Sequence, residues 1–249
     1  MQLTNVSAIV TGAASGLGQA TARTLSDRGA RVIGVDLDVS DAPAIDNVTY
    51  VRADVTQEDD VRNAVAVAAE SGPLRVVVNC AGIGPSERVV GRKGVHDLAL
   101  YRRVVMINLV GTFTVMAISA EEIARTEPLE DGQRGVIVNT ASIAAYEGQV
   151  GQVAYASSKG GVVGMNLPAA RDLAQYGVRV NTIAPGIVET PMLATVSAEF
   201  RANLASGVPF PQRLARPSEY ADLVAFIVEH DYLNGEVIRM DGALRMAPR

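Results

Sequence analysis

Residues 6–36 read VSAIVTGAASGLGQATARTLSDRGARVIGVD. The apolar, β-branched run from Val6 to Thr11 predicts a strand, and the stretch after it predicts a helix through about Arg28, closed by Gly29. A second strand, Arg31 to Val35, ends at Asp36. Two strands joined by a single helix pair in parallel within one sheet. Gly12, Gly16 and Gly18 fall where the first strand turns into the helix, spaced G-x-x-x-G-x-G. Glycines by themselves usually mark a plain turn. Here they follow a strand, open a helix and are followed by an acid at the end of the next strand. In that setting they let the backbone approach a pyrophosphate at a helix N-terminus. Asp36 can accept hydrogen bonds from both hydroxyls of an adenosine ribose, and its charge repels a 2′-phosphate. Ala14, Ser15, Leu37 and Asp38 offer no cation to hold such a phosphate. The dinucleotide expected is therefore NAD rather than NADP.

Outward from this unit, short β-rich runs keep alternating with helical stretches. Further strands are predicted at about Val48–Arg52, Arg75–Asn79, 135–140, Arg179–Ile183 and Glu236–Met240. The pattern predicts an α/β fold, a doubly wound parallel sheet with helices on both faces. One domain over 1–249 is expected, with dinucleotide-binding motifs mainly in 6–111 and the catalytic and substrate part mainly in 135–216. Thr56 with Asp59 reads as a capping box, which makes Glu58, Asp59 and Asp60 helix-terminal charges and not a metal site. Asp54 lies at a strand's C-terminal end, where it can meet an adenine amino group. Asn79, Cys80, Ala81 and Gly82 are small enough for a cofactor to lie against their backbone, and Cys80 reads as a small buried side chain. A polar loop, Ile83 to Val95, carries Arg88, Arg92 and Lys93; such a loop is usually only solvated, and here it could also meet an anionic substrate. A long helix, Asp97 to about Thr126, carries Asn108, and buried asparagines commonly satisfy backbone groups. The segment from Pro185-Gly186 to Arg216 reads as loop and short helix, a lid over substrate. Ser218 is expected to cap the helix that follows. His96 and His230 have no partner at metal-ligand spacing and receive no role, and no metal is expected.

The chemistry concentrates in Ser142 to Lys159, SIAAYEGQVGQVAYASSK. Tyr155 and Lys159, four apart, share a helix face, and Ser142 stands at the end of an apolar strand run. A phenol with a reference pKa of about 10 needs a fixed cation to act as a base near neutrality, and Lys159 is the direct source of one. Tyr-x-x-x-Lys alone would be ordinary helix surface; the added Ser142 and the dinucleotide signal reverse that reading.

Composition narrows the classes. Over 249 residues, 48% hydrophobic and 20% charged content is globular and not disordered. A net charge of −5 argues against a nucleic-acid backbone binder. One cysteine allows no internal disulfide and fits a reducing, cytoplasmic setting. The N-terminal residues do not read as a signal peptide, and no uninterrupted apolar run of membrane-spanning length stands out, so a soluble protein with no membrane partner is expected.

Thr11-Gly12-x-x-x-Gly16-x-Gly18, Asn79-x-Ala81-Gly82, Asn108, Ser142, Tyr155-x-x-x-Lys159 and Pro185-Gly186, in this order along the whole chain, resemble the short-chain dehydrogenase/reductase family. The resemblance implies a Rossmann-type sheet of seven parallel strands in the order 3-2-1-4-5-6-7, usually in a homotetramer. It implies that Tyr155 is the general base toward a substrate hydroxyl and that Lys159 lowers its pKa and binds the nicotinamide ribose. Ser142 would hydrogen-bond the substrate oxygen, and Asn108 would hold a proton-relaying water. Ser15, Leu17, Asp36, Asp54, Val55, Cys80, Val188 and Thr190 would line NAD, and Gln149 and Gln152 would lie near substrate. The segments GQRGVI (132–137), EGQVGQ (147–152), VPFP (208–211), LNGEVIR (233–239) and DGALRM (241–246) look like the 3-hydroxyacyl-CoA dehydrogenase branch of that family, with a place in fatty acid metabolism. A steroid or other secondary-alcohol dehydrogenase is the alternative within the fold. A non-catalytic NAD-binding scaffold is the alternative from another class, opposed by the filled catalytic positions.

Overall fold

The computed structural model describes residues 1–92, 94–193 and 197–248. Its elements in chain order are β1 (Ser7–Thr11), α1 (Gly16–Asp27), β2 (Arg31–Asp36), β3 (Val48–Arg52), α2 (Glu58–Ser71) and β4 (Leu74–Asn79). A two-residue hairpin, β5 (Val90–Gly91) and β6 (Gly94–Val95), precedes α3 (Leu98–Val105) and α4 (Thr112–Ala124). Then come β7 (Gly135–Thr140), α5 (Val153–Ala174), β8 (Val178–Pro185), α6 (Ala198–Ser206), α7 (Pro217–Glu229) and β9 (Val237–Met240). The main sheet runs β3-β2-β1-β4-β7-β8-β9, every neighbouring pair parallel, which is the expected 3-2-1-4-5-6-7 order of its seven strands.

Alternation along the central strands separates two cores. Ala8, Val10, Val76, Val78, Val136 and Val138 face α1 and α7, where Leu25, Tyr220, Val224 and Ile227 cover them. Ile9, Val77 and Ile137 point the other way, toward Val61, Val65, Val115, Met116 and Ile123. Both faces of β1, β4 and β7 are buried, so their central residues, 8–10, 76–78 and 136–138, are all apolar, as a sheet covered on both sides requires. The strand order reverses between β1 and β4, and the crevice at their C-terminal ends is where open α/β sheets bind ligands.

Several local expectations change. The long helix is α3 and α4 joined through a π-helical stretch, Met106–Gly111, that contains Asn108. Such insertions mark functional positions, and this one seats Gly111 against Val55, where a Cβ would lie 2.7 Å from the valine Cγ2. The continuous Leu98–Ala124 helix is long and apolar enough by composition to cross a membrane, contrary to the sequence expectation, although half of its most apolar stretch is buried in the fold. Thr56 and Asp59 do not form a capping box. The Asp54 carboxylate instead accepts from both the amide and the hydroxyl of Thr56 (2.9 and 2.8 Å), while Asp60 accepts from the Asp54 amide at 2.8 Å. An Asx turn satisfies the backbone more locally than a cap three residues away. Ser218 is not the cap of α7 either; Pro217 opens the helix and the Glu219 carboxylate accepts from the Arg216 amide at 2.7 Å. In the basic loop, Arg88 and Arg92 are exposed and Lys93 lies outside the described residues.

Candidate active site

The glycine turn is built for close approach. A Cβ on Gly18 would overlap the Gly12 carbonyl, so only glycine lets α1 start this close to β1. Gly12, at φ +65°, has Ala81 Cα only 3.0 Å from its own missing Cβ. The Thr11 hydroxyl accepts from the amides of Cys80 and Ala81, both at 3.1 Å, tying the ends of β1 and β4 together across the crevice. Thr11 was part of the motif and received no role from sequence; its strand-end hydroxyl was the available signal. Ser15 sits at the N-cap of α1 with no hydrogen bond from its side chain to the helix, and the first turn holds no acid. The opening of α1 therefore keeps its positive end for an anion.

Asp36 closes the far side. Its carboxylate accepts from Ala14 N (3.0 Å) and Leu37 N (2.8 Å), which fixes it beside the glycine turn with lone pairs to spare for a ribose diol. Asp54 Oδ1 is committed to Thr56, leaving its other oxygen for an adenine amino group. Val55 is buried against the π-helical stretch, and Leu17 packs on the α1/α7 core. Thr190 comes to the glycine turn: a Cβ on Gly16 would lie 3.5 Å from its Cγ2. Val188 is buried and bridges Ala215, and Gly186 donates to the Met240 carbonyl at 2.9 Å, which anchors Pro185-Gly186 to β9. Two side chains turn away from the crevice. Asn79 is buried and donates to Asn139 Oδ1 at 2.9 Å, and the Cys80 thiol lies 3.7 Å from the Tyr220 hydroxyl. At these two positions the backbone is left to meet a dinucleotide, since Asn79 is engaged by Asn139 and the Cys80 thiol lies against Tyr220.

Ser142, Tyr155 and Lys159 converge. Ser142 follows β7 and caps a 3-10 turn, Ile143–Ala145, its hydroxyl accepting from Ala144 N at 3.1 Å. Tyr155 and Lys159 lie in the opening turns of α5, and the Ser142 hydroxyl acts on the Tyr155 phenol by favouring its ionised form. Lys159 Nζ is 5.8 Å from the Tyr155 ring centroid and donates to the Thr140 carbonyl at 2.7 Å. Being a backbone acceptor, Thr140 gave no residue-type signal. Lys159 is 4% exposed, and among the described residues that carbonyl is its one hydrogen-bond acceptor. A buried ammonium with two uncommitted N–H groups, next to side-chain-free Gly82, is what a ribose diol would complete. The residues present fit a bound dinucleotide.

The electrostatics run against one expectation. Burial pushes the Tyr155 phenol up, with the Ser142 hydroxyl opposing, and Lys159 does not overcome this in the chain by itself. Burial also lowers Lys159 from 10.5 to about 8. Asn108, expected to hold a proton-relaying water, has its side chain engaged by the protein. Its amide is consumed by the backbone of Ile83, donating at 2.8 Å and accepting at 2.9 Å, with a second donation to Ser158 at 3.1 Å. Asn108 thus pins the loop after Gly82. Gln149 and Gln152 also do structural work, since Gln152 Oε1 accepts from Gln149 N at 3.0 Å and Gln149 Nε2 donates to Ala247 O at 2.9 Å.

Known proteins resemble this chain in sequence and fold. The family model described as short chain dehydrogenase matches residues 6–200. A Bos taurus protein named 3-hydroxyacyl-CoA dehydrogenase type-2 is 51% identical, over 97% of this chain and 95% of its own. A Drosophila melanogaster protein of the same name is 51% identical, over 98% of this chain and 99% of its own. The crystal structure of 3-hydroxyacyl-CoA dehydrogenase type-2 from Mycobacterium avium superposes with a TM-score of 0.95 at 44% identity, covering 98% of each chain. With the glycine turn, the seven-stranded sheet and the Ser142–Tyr155–Lys159 group all in place, the chain belongs to the short-chain dehydrogenase family.

Proposed function

We propose that the chain is an NAD-dependent 3-hydroxyacyl-CoA dehydrogenase that interconverts a 3-hydroxyacyl-CoA and its 3-oxo form. The observation that carries the reading is the meeting of Ser142, Tyr155 and a buried Lys159 ammonium beside a dinucleotide cradle. Relatives at 51% identity bearing that name support the acyl-CoA substrate. Bound NAD supplies the hydride acceptor, or in the reverse direction NADH the donor. The chain supplies the proton and its placement. In reduction, Ser142 donates a hydrogen bond to the ketone oxygen and Tyr155, protonated at neutral pH, gives that oxygen its proton. In oxidation the same proton returns to the phenolate, whose charge is stabilised by the Lys159 ammonium, 5.8 Å from the ring centroid.

The test is purified protein with acetoacetyl-CoA and NADH, followed at the NADH absorbance, with NADPH and a steroid ketone as controls. Rapid NADH-selective loss with the thioester is expected. Tyr155→Phe should reduce kcat by about 10²–10⁴-fold and leave NADH affinity within twofold. Turnover of the steroid alone would move the chain to the secondary-alcohol reading, and full activity in Tyr155→Phe would remove the phenol from the mechanism.

A homotetramer belongs to the same proposal. Met106, Val110 and Phe113, one helical face from the π stretch into α4, are 43%, 36% and 54% exposed, and Leu167 on α5 is 45% exposed. Contiguous apolar faces of this kind ask for a partner, and a second copy supplies one. Light scattering should give four times the chain mass, and Phe113→Glu should lower it; a monomer in the native chain would refute this assembly.

A further inference from the structure

The chain after β9 crosses back over the substrate side. Gly242 O accepts from Phe210 N at 3.3 Å, Leu244 packs with Ile143 and Val208, and Pro248 O accepts from Val150 N at 3.0 Å. At the root of this strap stands Arg239, on the last strand. Its Nη1 and Nη2 donate to the two carboxylate oxygens of Glu147 at 2.8 and 2.9 Å, in a fork that only arginine can make. Nε donates to Asp241 Oδ2 at 2.7 Å, Nη2 also reaches Leu244 O at 3.1 Å, and the guanidinium lies 5.2 Å from the Tyr146 ring centroid. Glu147 in turn donates its amide to the Ile143 carbonyl at 3.0 Å, one residue beyond Ser142. Both partners are largely buried, with Arg239 22% and Glu147 25% exposed, so the pair is far less screened than a surface bridge.

We propose that Arg239 is a positioning residue for the reaction: acting through Glu147, it fixes the turn that aims the Ser142 hydroxyl. The proposal rests on the role of Ser142 in the function proposed above. The route is short: two ionic hydrogen bonds from Arg239 to the Glu147 carboxylate, one backbone hydrogen bond from the Glu147 amide to Ile143, and the peptide bond from Ile143 to Ser142. The Ser142 oxygen is itself tied to Ala144, inside the same 3-10 turn. Loosening the fork lets the turn drift, and a hydroxyl that must meet an oxygen in the transition state loses alignment before it loses substrate affinity. The strap from Asp241 to Pro248 makes the arrangement stiffer, since the same arginine holds its first turn.

The test uses Arg239→Lys, which keeps the charge and loses the fork, and Glu147→Gln, which keeps the shape and loses the charge. Each is made in the native chain and in a Ser142→Ala background. Against acetoacetyl-CoA and NADH, Arg239→Lys should lower kcat about tenfold, with KM for the thioester and affinity for NADH within twofold. In the Ser142→Ala background the same change should cost less than twofold more, because the two act as one unit. Hydrogen exchange at the Ala144 and Glu147 amides should speed up about tenfold, while the β7 amides keep their rates. Equal losses in both backgrounds would make Arg239 a general support of the fold and overturn the proposal, as would unchanged exchange at Ala144 and Glu147. If the native chain ignores acetoacetyl-CoA, the functional reading falls, and the exchange rates still decide whether the clamp holds the turn.

Discussion

Lys159→Met is expected to give a protein that melts higher and catalyses almost nothing. Lys159 is 4% exposed, and burial lowers it from 10.5 to about 8 because desolvation disfavours the ammonium. The folded-state value lies below the unfolded one, so the cost to stability is fully present below pH about 8 and is relieved as pH rises from about 8 toward 10.5. A lowering of that size corresponds to roughly 3 kcal/mol. Methionine matches the length of the stem without the charge. After loss of the Thr140 hydrogen bond, worth about 1 kcal/mol, a net gain of about 2 kcal/mol at pH 7 should remain. Urea melts at pH 7 and pH 10 check the sign: the variant's advantage should shrink at the higher pH, because the native chain sheds the cost there. A variant less stable than the native chain at pH 7 would mean that the ammonium is better solvated than its burial implies. Catalysis goes the other way, with kcat falling by about 10²–10⁴-fold, since Tyr155 loses the Lys159 charge beside it. The stored cost is then part of the mechanism: a charge is held where water is excluded so that a phenolate can form beside it.

The βαβ unit was readable because each of its signals is local. Glycines that no side chain could replace, a strand on either side and an acid at the right strand end give one answer. Ser142, Tyr155 and Lys159 were readable for a different reason: hydroxyl, phenol and ammonium at those intervals have few structural uses in common. What escaped the sequence is mostly backbone. The π stretch around Asn108 has the same composition as α-helix, and its existence depends on Val55 meeting Gly111 from another element. The Thr140 carbonyl that accepts the hydrogen bond from Lys159 has no residue-type signature at all. Thr56 with Asp59 had the letters of a cap, yet Asp54 was nearer and took the Thr56 amide and hydroxyl. The hydrogen bonds by which Gln149 and Gln152 hold the loop and the C-terminal strap likewise leave no pattern of letters. Arg239 and Glu147 are 92 residues apart. Both lay inside segments that carried the family resemblance, but nothing in either segment says that they pair, because charge partners across a fold leave no local pattern.

Asp36→Ser combined with Leu37→Arg should turn an NADH enzyme into one that prefers NADPH. Asp36 stands at the end of β2 with its carboxylate held by the amides of Ala14 and Leu37. A 2′-phosphate would have to sit within hydrogen-bonding distance of that carboxylate. Two unit charges 4 Å apart at the effective dielectric of a protein surface repel by about 4 kcal/mol, so the native chain should favour NADH in kcat/KM by about 10²–10³-fold. Asp36→Ser alone removes the repulsion and keeps a short acceptor for the two amides. It should lower kcat/KM with NADH by about tenfold, the loss of a charge-assisted hydrogen bond to the ribose, and raise it with NADPH. Leu37 is 55% exposed, so arginine there can be accommodated without repacking the core. Arg52 already donates to the Leu37 carbonyl at 3.1 Å, so the new guanidinium joins an existing cation and the two can face the phosphate together. The double change should move the NADH/NADPH ratio by about 10³–10⁴-fold in total, close to 5 kcal/mol. The attraction that replaces the repulsion is exposed, so the NADPH preference of the double variant should weaken as salt is raised from 0.05 to about 0.5 M, where the screening length falls to roughly 4 Å. Parallel initial-rate series with both cofactors at the two salt concentrations check this. A ratio unchanged by Asp36→Ser would mean that something other than the carboxylate excludes the 2′-phosphate. A ratio that shifts without salt dependence would place the discrimination in the shape of the pocket and not in its charge.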